Sequence, residues 1–484
     1  MVVILAHLLT PSDFGLAGMV LLFTGLIQLL ADVGFSASVV QLPALSEEDR
    51  STAFWTSLAV ALVLFGIALA VAPEVAAFYH APRLHWMFVA VAAGFLTTAL
   101  STVQASLLVR RMDFRALEIR GMLATVVAAV VGICAAASGL GAWSLILQAN
   151  ALSVTSVFAL WFVSGWRPRP IFSTVSLRRM AGFSSNVLFA RFLDYGSRNA
   201  DNMLVGRFLG SSALGIYSIG YSVILIPLWR LADPIRNLLT PALAALQRDR
   251  ERMRHVWLRG MRTIASLVFP TTAGVIVVCP DFVSVVLGDK WASATRVIQV
   301  LAWVALIQSA SFLSGAIYQS CNRSGLLLRM NGLAFALDIS SFVIGLHWGV
   351  LGVAVAYAIV NTAVNTPLRL ALTARLLECR LRVVASELRG VVEATFLMAC
   401  VTLGLRELLE LYGIGSGLRL GSCIAAGFVT YALVCRWRDP RVFAELRLRL
   451  PLRSAPADDA GRGLGGPPSA HLPSQAKQPT SPRV

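Results

Sequence analysis

Residues 181–210 read A-G-F-S-S-N-V-L-F-A-R-F-L-D-Y-G-S-R-N-A-D-N-M-L-V-G-R-F-L-G, long enough to span a bilayer yet carrying Arg191, Asp194, Arg198 and Asp201 inside the span. At about 100° per residue their spacings place all four charges within roughly an 80° arc of one helix, with Asn202 beside them. Each charge costs about 2.5–3.5 kcal/mol at a helix centre, so the four approach about 10 kcal/mol, more than the flanking Leu, Val and Phe return. Lipid therefore cannot face the stripe. It is expected to line a polar cavity between helices, where the alternating signs pair along the helix and meet a charged cargo. A purely structural intrahelical network is the alternative.

The rest of the chain places this helix in an all-α polytopic membrane protein. Of 484 residues 57% are hydrophobic and only 14% charged, outside the usual globular range. Apolar runs fall near 14–42, 53–72, 86–109, 116–138, 143–163, 181–206, 213–231, 256–279, 297–321, 326–346, 351–373, 391–411 and 417–435. Each is long enough to cross about 30 Å of hydrocarbon. Trp55, Trp86, Trp143, Trp166, Trp257 and Trp348 fall at or near span ends, as an aromatic belt predicts, whereas Trp303 sits mid-span and needs another explanation.

Arginine placement sets the expected orientation. Alternate loops hold Arg110, Arg111 and Arg115; Arg167, Arg169, Arg178 and Arg179; Arg248 to Arg254; Arg380, Arg382 and Arg389; and, after the last span, Arg436, Arg438 and Arg441. The positive-inside rule makes these cytoplasmic and the loop near Asp289 external. The net charge of +16 is therefore mostly topological, suiting anionic headgroups and not nucleic acid. The tail from Pro451 to Val484, rich in Pro, Gly, Ser and Ala, is expected to be disordered and cytoplasmic. The seven cysteines lack C-x-x-C spacing and read as small apolar residues.

A repeat underlies the spans. Residues 9–17, L-T-P-S-D-F-G-L-A, resemble 209–217, L-G-S-S-A-L-G-I-Y, which sets Gly15 on Gly215 at an offset of 200. Leu30-Ala31-Asp32 matches Leu231-Ala232-Asp233, and Gly121 and Leu140-Gly141 match Gly332 and Leu351-Gly352. One repeat covers about six spans. Because six is even, the copies share an orientation about an axis along the membrane normal, and the site is expected between two six-helix lobes.

Enzyme signals are lacking. Lys290 and Lys477, the only lysines, stand in no phosphate-binding loop, so the chain is no ATP-driven pump by itself. The six histidines show no metal-ligand spacing, and neither a metal nor a cofactor is implied.

The stretch R-N-A-D-N-M-L-V-G-R-F-L-G-S-S-A-L-G-I-Y-S at 198–218, with L-L-T-P-S-D-F-G at 8–15, G-D-K-W at 288–291 and N-R-S-G at 322–325, resembles the bacterial polysaccharide flippases. That family belongs to the superfamily of multidrug extruders and lipid II flippases. The resemblance runs from about Leu8 to Arg436. It implies two six-helix lobes, 1–163 and 164–390, an extra helix pair at 391–436 and a tail at 437–484, about 14 helices in all. It also implies a cargo of undecaprenyl-diphosphate-linked oligosaccharide crossing the bacterial inner membrane for O-antigen, capsule or exopolysaccharide export, with a polysaccharide polymerase and a chain-length regulator as partners.

The stripe suits that cargo. Arginine offers a planar fork of donors to phosphate, which favours Arg191 and Arg198, with Asn202, as headgroup contacts. Asp194 and Asp201 hold the arginines when the cavity is empty, or carry a coupling proton or sodium ion; the choice stays open. Gln104, Gln148, Asn150 and Gln319 either meet sugar hydroxyls or link helices, and Pro227, Pro270 and Pro367 either serve bending or are tolerated kinks. The chain reads as a non-enzymatic flippase working by alternating access. A cation-coupled multidrug extruder, whose cavity would be net acidic, and a membrane glycosyl polymerase are the alternatives. Finally, the nine residues before Thr10 reach about 14 Å as a helix, too short to cross the hydrocarbon, so Met1 is expected to be a misplaced or truncated start.

Overall fold

The computed structural model describes residues 1–32, 39–40, 42, 45–181, 185–247 and 249–438, and among them all regular structure is helical. In chain order the helices are α1 (Val2–Leu8), α2 (Pro11–Asp32), α3 (Glu47–Phe78), α4 (Leu84–Arg110), α5 (Phe114–Ala137), α6 (Trp143–Val163), the short α7 (Thr174–Ala181), α8 (Ser185–Ala245), α9 (Arg250–Leu287), α10 (Ala294–Ser320), α11 (Ser324–Gly345), α12 (349–376), α13 (Leu381–Leu411) and α14 (Ser416–Arg438). Nine segments of the described residues are long and apolar enough to cross a membrane. The expected tail lies, from residue 439 on, outside the described residues.

The runs expected at 181–206 and 213–231 form one helical element broken at a single residue. Gly210, at φ 85° and ψ −179°, occupies backbone space that a side chain would resist. There the chain folds back on itself. Tyr217 Oη donates to Asp201 Oδ2 at 3.0 Å, although 16 residues of straight helix would separate them by about 24 Å. α8 is thus a hairpin of limbs 185–209 and 211–245. Its break is the counterpart, 200 residues on, of the break at Leu9–Thr10 between α1 and α2.

The same correspondence continues along the chain. α4 and α10 are each 27 residues long and begin 210 positions apart, at Leu84 and Ala294. Two cores result, one drawn mainly from α2–α6 and the other mainly from the second limb of α8 and α9–α13. They join where α2 lies on α8. A Cβ on Gly15 would overlap the Ser211 carbonyl, and one on Gly215 would overlap the Pro11 carbonyl, so each glycine lets the opposing backbone approach.

Helices outrun their apolar runs wherever a partner helix satisfies the polar extension. α13 starts at Leu381, not 391, because Glu387 accepts from the buried Arg262 of α9 at 2.6 Å. At the other end of α9, buried Asp281 accepts from Arg406 Nε and Arg419 Nε, each at 2.7 Å. These pairs and the Tyr431 hydroxyl on the Ser266 carbonyl (2.8 Å) pin α13 and α14 to α9.

The tryptophan belt is only partly realised. Trp86 and Trp348 are exposed, but Trp257 is fully buried in the second core and Trp166 donates to Glu47 Oε1 at 2.7 Å. Mid-span Trp303 keeps its ring half-exposed and satisfies its N–H on Thr362 Oγ1 at 3.1 Å, as hydrocarbon surroundings require. All seven cysteines are free.

Candidate functional site

Four helical segments of the second half enclose a polar cavity of about 430 Å³. The second limb of α8 supplies Asp233 and Arg236, α10 supplies Gln308 and Phe312, α11 supplies Asn331 and Asp338, and α12 supplies Asn361, Asn365 and Arg369. A further cavity of about 530 Å³ shares Arg236, Phe312, Gly315 and Gln319 with it and extends to Thr240 and Pro241. Thr240 lies near the end of α8, and Gln319 near the end of α10, so the polar space runs from mid-helix toward the arginine-rich loops.

A local irregularity presents the polar groups of α12. Pro367 has no N–H to give the residue 363 carbonyl, and its ring crowds that turn. The preceding turn, Asn361–Asn365, widens into a π-helix, a form that recurs at functional sites. Both asparagines then reach one carboxylate: Asn365 Nδ2 donates to Asp338 Oδ1 at 2.9 Å and Asn361 Nδ2 at 3.4 Å. Gln308 Nε2 extends the network to Asn361 Oδ1 at 3.0 Å and to the Tyr357 hydroxyl at 2.9 Å.

The two arginines are held more loosely. Arg369 donates to Asn331 Oδ1 at 3.1 Å. Arg236 pairs with Asp233 of the preceding turn at 2.8 Å, lies 5.2 Å over the Phe312 ring and is 42% exposed. An exposed pair of this kind is worth little and can be exchanged for a better anion. The arrangement offers planar donors to an anionic group inside a membrane-spanning fold, with amides and hydroxyls beside them for a polar ligand.

Only part of the stripe in α8 falls among the described side chains. The side chains of Arg191, Asp194 and Arg198 lie outside the described residues. Asp201 is 5% exposed and turns into the hairpin, where Tyr217 Oη and the Asn202 N–H hold it at 3.0 and 2.8 Å. Asn202 lines a cavity of about 180 Å³ between α2 and α8 with Tyr195, Asn199 and Ser218. Its Oδ1 has no hydrogen-bond partner among the described residues. Of the four amides singled out, Gln319 lines the polar cavity and Asn150 a small pocket of about 30 Å³. Gln104 is buried beside Trp161 and Leu100 as a link between α4 and α6, and Gln148 packs on Gly132 of α5.

Arg236, Asp338 and Arg369 escape a reading centred on the stripe. The signal was present: Asp338 lies inside the run 326–346 and Arg369 inside 351–373, and an ionisable residue within an apolar span marks a functional candidate wherever it falls. Arg236 is hidden because the apolar run stops at 231 while the helix continues to Ala245.

Comparison with known proteins agrees with this architecture. Teichuronic acid biosynthesis protein TuaB of Bacillus subtilis (strain 168) is 24% identical over 448 residues, 92% of either chain. Succinoglycan biosynthesis transport protein ExoT of Rhizobium meliloti (strain 1021) is 26% identical over 299 residues, 62% of this chain and 60% of that protein. Lipid II flippase MurJ in an inward closed conformation superposes with a TM-score of 0.72 over 92% of this chain and 96% of that one, at 11% identity, a likeness of fold. A family model described as polysaccharide biosynthesis protein matches residues 4–296, more than half of the sequence, and the chain belongs to that family.

Proposed function

We propose that this chain is a multi-pass inner-membrane flippase that moves undecaprenyl-diphosphate-linked oligosaccharide from the cytoplasmic to the outer leaflet by alternating access. The observation that carries this reading is the arginine-bearing polar cavity within the second half, continuous toward the arginine-rich end, while α2 and α8 pack tightly at the other. Arg236 and Arg369 contact the diphosphate, in concert with the arginines of the stripe, and Gln319, Asn331 and Asn202 meet sugar hydroxyls. The lining balances Arg236 and Arg369 against Asp233 and Asp338, so it is the planar guanidinium donors, and not a net charge, that support a lipid-linked phosphate over an organic cation. No bond is made or broken in this reading; a polymerase and a chain-length regulator act on the delivered unit. Residues 1–163 and 164–380 form the two moving lobes, with α13 and α14 as an accessory pair.

Coupling falls to the carboxylates that no arginine or lysine hydrogen-bonds among the described residues. Asp49 and Asp281 are ion-paired with Arg179 and with Arg406 and Arg419. Asp201 and Asp338 are held, among the described residues, by neutral donors alone. An ionisable carboxyl group so placed inside a membrane protein is a candidate carrier of the coupling ion. The test of the function is a chromosomal deletion: lipid-linked repeat units accumulate on the cytoplasmic side, surface polysaccharide disappears, and the intact gene restores both. Unchanged surface polysaccharide without accumulation would overturn it.

A further inference from the structure

The turn between α9 and α10, G-D-K-W at 288–291, reaches across to the first half. Trp291 Nε1 donates to the Ala6 carbonyl at 2.9 Å. Lys290 Nζ donates to the His7 carbonyl at 2.5 Å and to the Leu9 carbonyl at 3.2 Å. The Trp291 ring is fully buried and meets Phe14 of α2 edge-on at 5.2 Å. These are the carbonyls that the end of α1 leaves without intrahelical partners, and a cation there complements the negative end of the helix. The capping group comes from the other half of the molecule, at the same end where Pro11–Gly15 lies against Ser211–Gly215.

We infer that Lys290 and Trp291 form a latch that holds the two halves together at the arginine-poor end, and that transport requires its release. The two residues are positioning residues: they set which end of the cavity is open without touching cargo. Backbone carbonyls as acceptors suit such a role. A carbonyl cannot be lost by side-chain rotation, and a single lysine gathers two of them, so the contact closes in one register and opens by one movement of the turn. Release leaves the ammonium at the membrane surface, where water solvates it.

The inference rests on the alternating-access reading, and the experiment separates the two. A cysteine-free full chain carries Asn331→Cys, an exposed residue of the cavity wall, as a reporter. In intact cells Lys290→Ala is expected to raise its labelling by an impermeant maleimide added outside by roughly tenfold, the scale of one charge-assisted hydrogen bond. Lys290→Arg restores low labelling, and Trp291→Phe, which keeps one aromatic ring but removes the N–H together with the rest of the indole, raises it less. Membrane levels are matched by immunoblot. Gly215→Ala, wedging the same end by another route, serves as the comparison. If Gly215→Ala raises outside labelling while Lys290→Ala and Trp291→Phe do not, the latch is refuted and alternating access stands. If no variant is labelled from outside, alternating access itself fails.

Discussion

Ser12 Oγ lies 2.9 Å from Ser211 Oγ, at a sequence separation of 199. A repeat of 200 residues makes this contact almost its own image: Pro11 meets Gly215 as Gly15 meets Ser211, the pattern of a two-fold interface built within one chain. The first and second halves therefore touch through equivalent surfaces, and small residues on both sides let the backbones come close.

Cysteines at 12 and 211 should consequently pair. The native oxygens are within hydrogen-bond reach, close to the separation that a disulfide spans after small adjustment. In a cysteine-free chain the double variant Ser12→Cys/Ser211→Cys is expected to oxidise readily, to stop export, and to recover on reduction. Mass spectrometry of the oxidised protein checks the bond. Full export with the bond formed would mean that this end never opens.

Arg369→Ala and Arg236→Ala are each expected to reduce surface polysaccharide by tenfold or more on the scale of charged hydrogen bonds lost to a phosphate, at normal membrane level. Lysine at either position rescues only in part, because a point charge replaces a planar fork. Quantifying lipid-linked intermediates alongside the polymer distinguishes a transport defect from a synthesis defect.

Asp338→Asn keeps the shape of the network but removes the ionisable group that Asn361 and Asn365 address. Transport by this variant should lose its response when the proton or sodium gradient is collapsed, whereas the parent slows. Retention of the full response would exclude Asp338 from coupling and leave Asp201 as the candidate.

Asp281→Ala leaves Arg406 and Arg419, each only 13–15% exposed, without their shared carboxylate. Removing one member of such a buried group costs about 3 kcal/mol, and residual pairing with Glu410 sets that as the upper end. Chemical denaturation of the purified chain in detergent measures the loss. Cargo transport by the surviving protein should be little changed, since these residues lie away from the cavity.

Orientation is checked by labelling. A cysteine placed at Arg169, in the linker strapped to α3 through Trp55 and Ser51, should react only after the membrane is permeabilised. A cysteine at Asp289 should react in intact cells. The reverse pattern would invert the direction of transport assigned to the cavity.

The sequence by itself determined the membrane-spanning helices and the duplication of six of them, and set the orientation that labelling tests. Each of these depends on a quantity summed locally or repeated along the chain: the transfer cost of apolar runs, arginine counts in loops, and matching residues at a fixed offset. It also pointed to intramembrane charge as the mark of a candidate site. Tertiary structure decided what the described charges face. On an isolated helix Asp201 shares an arc with Arg198, yet the fold-back at Gly210 brings Tyr217 beside it and draws the carboxylate into the hairpin. The polar cavity needs residues from 233 to 369 converging from four helical segments, and the π turn before Pro367 rotates Asn361 and Asn365 onto Asp338. Lys290 finds its acceptors 281 and 283 residues away. Hydropathy records how a residue partitions between water and lipid, whereas the direction of a side chain is set by the neighbours that folding supplies, and those neighbours are distant in sequence.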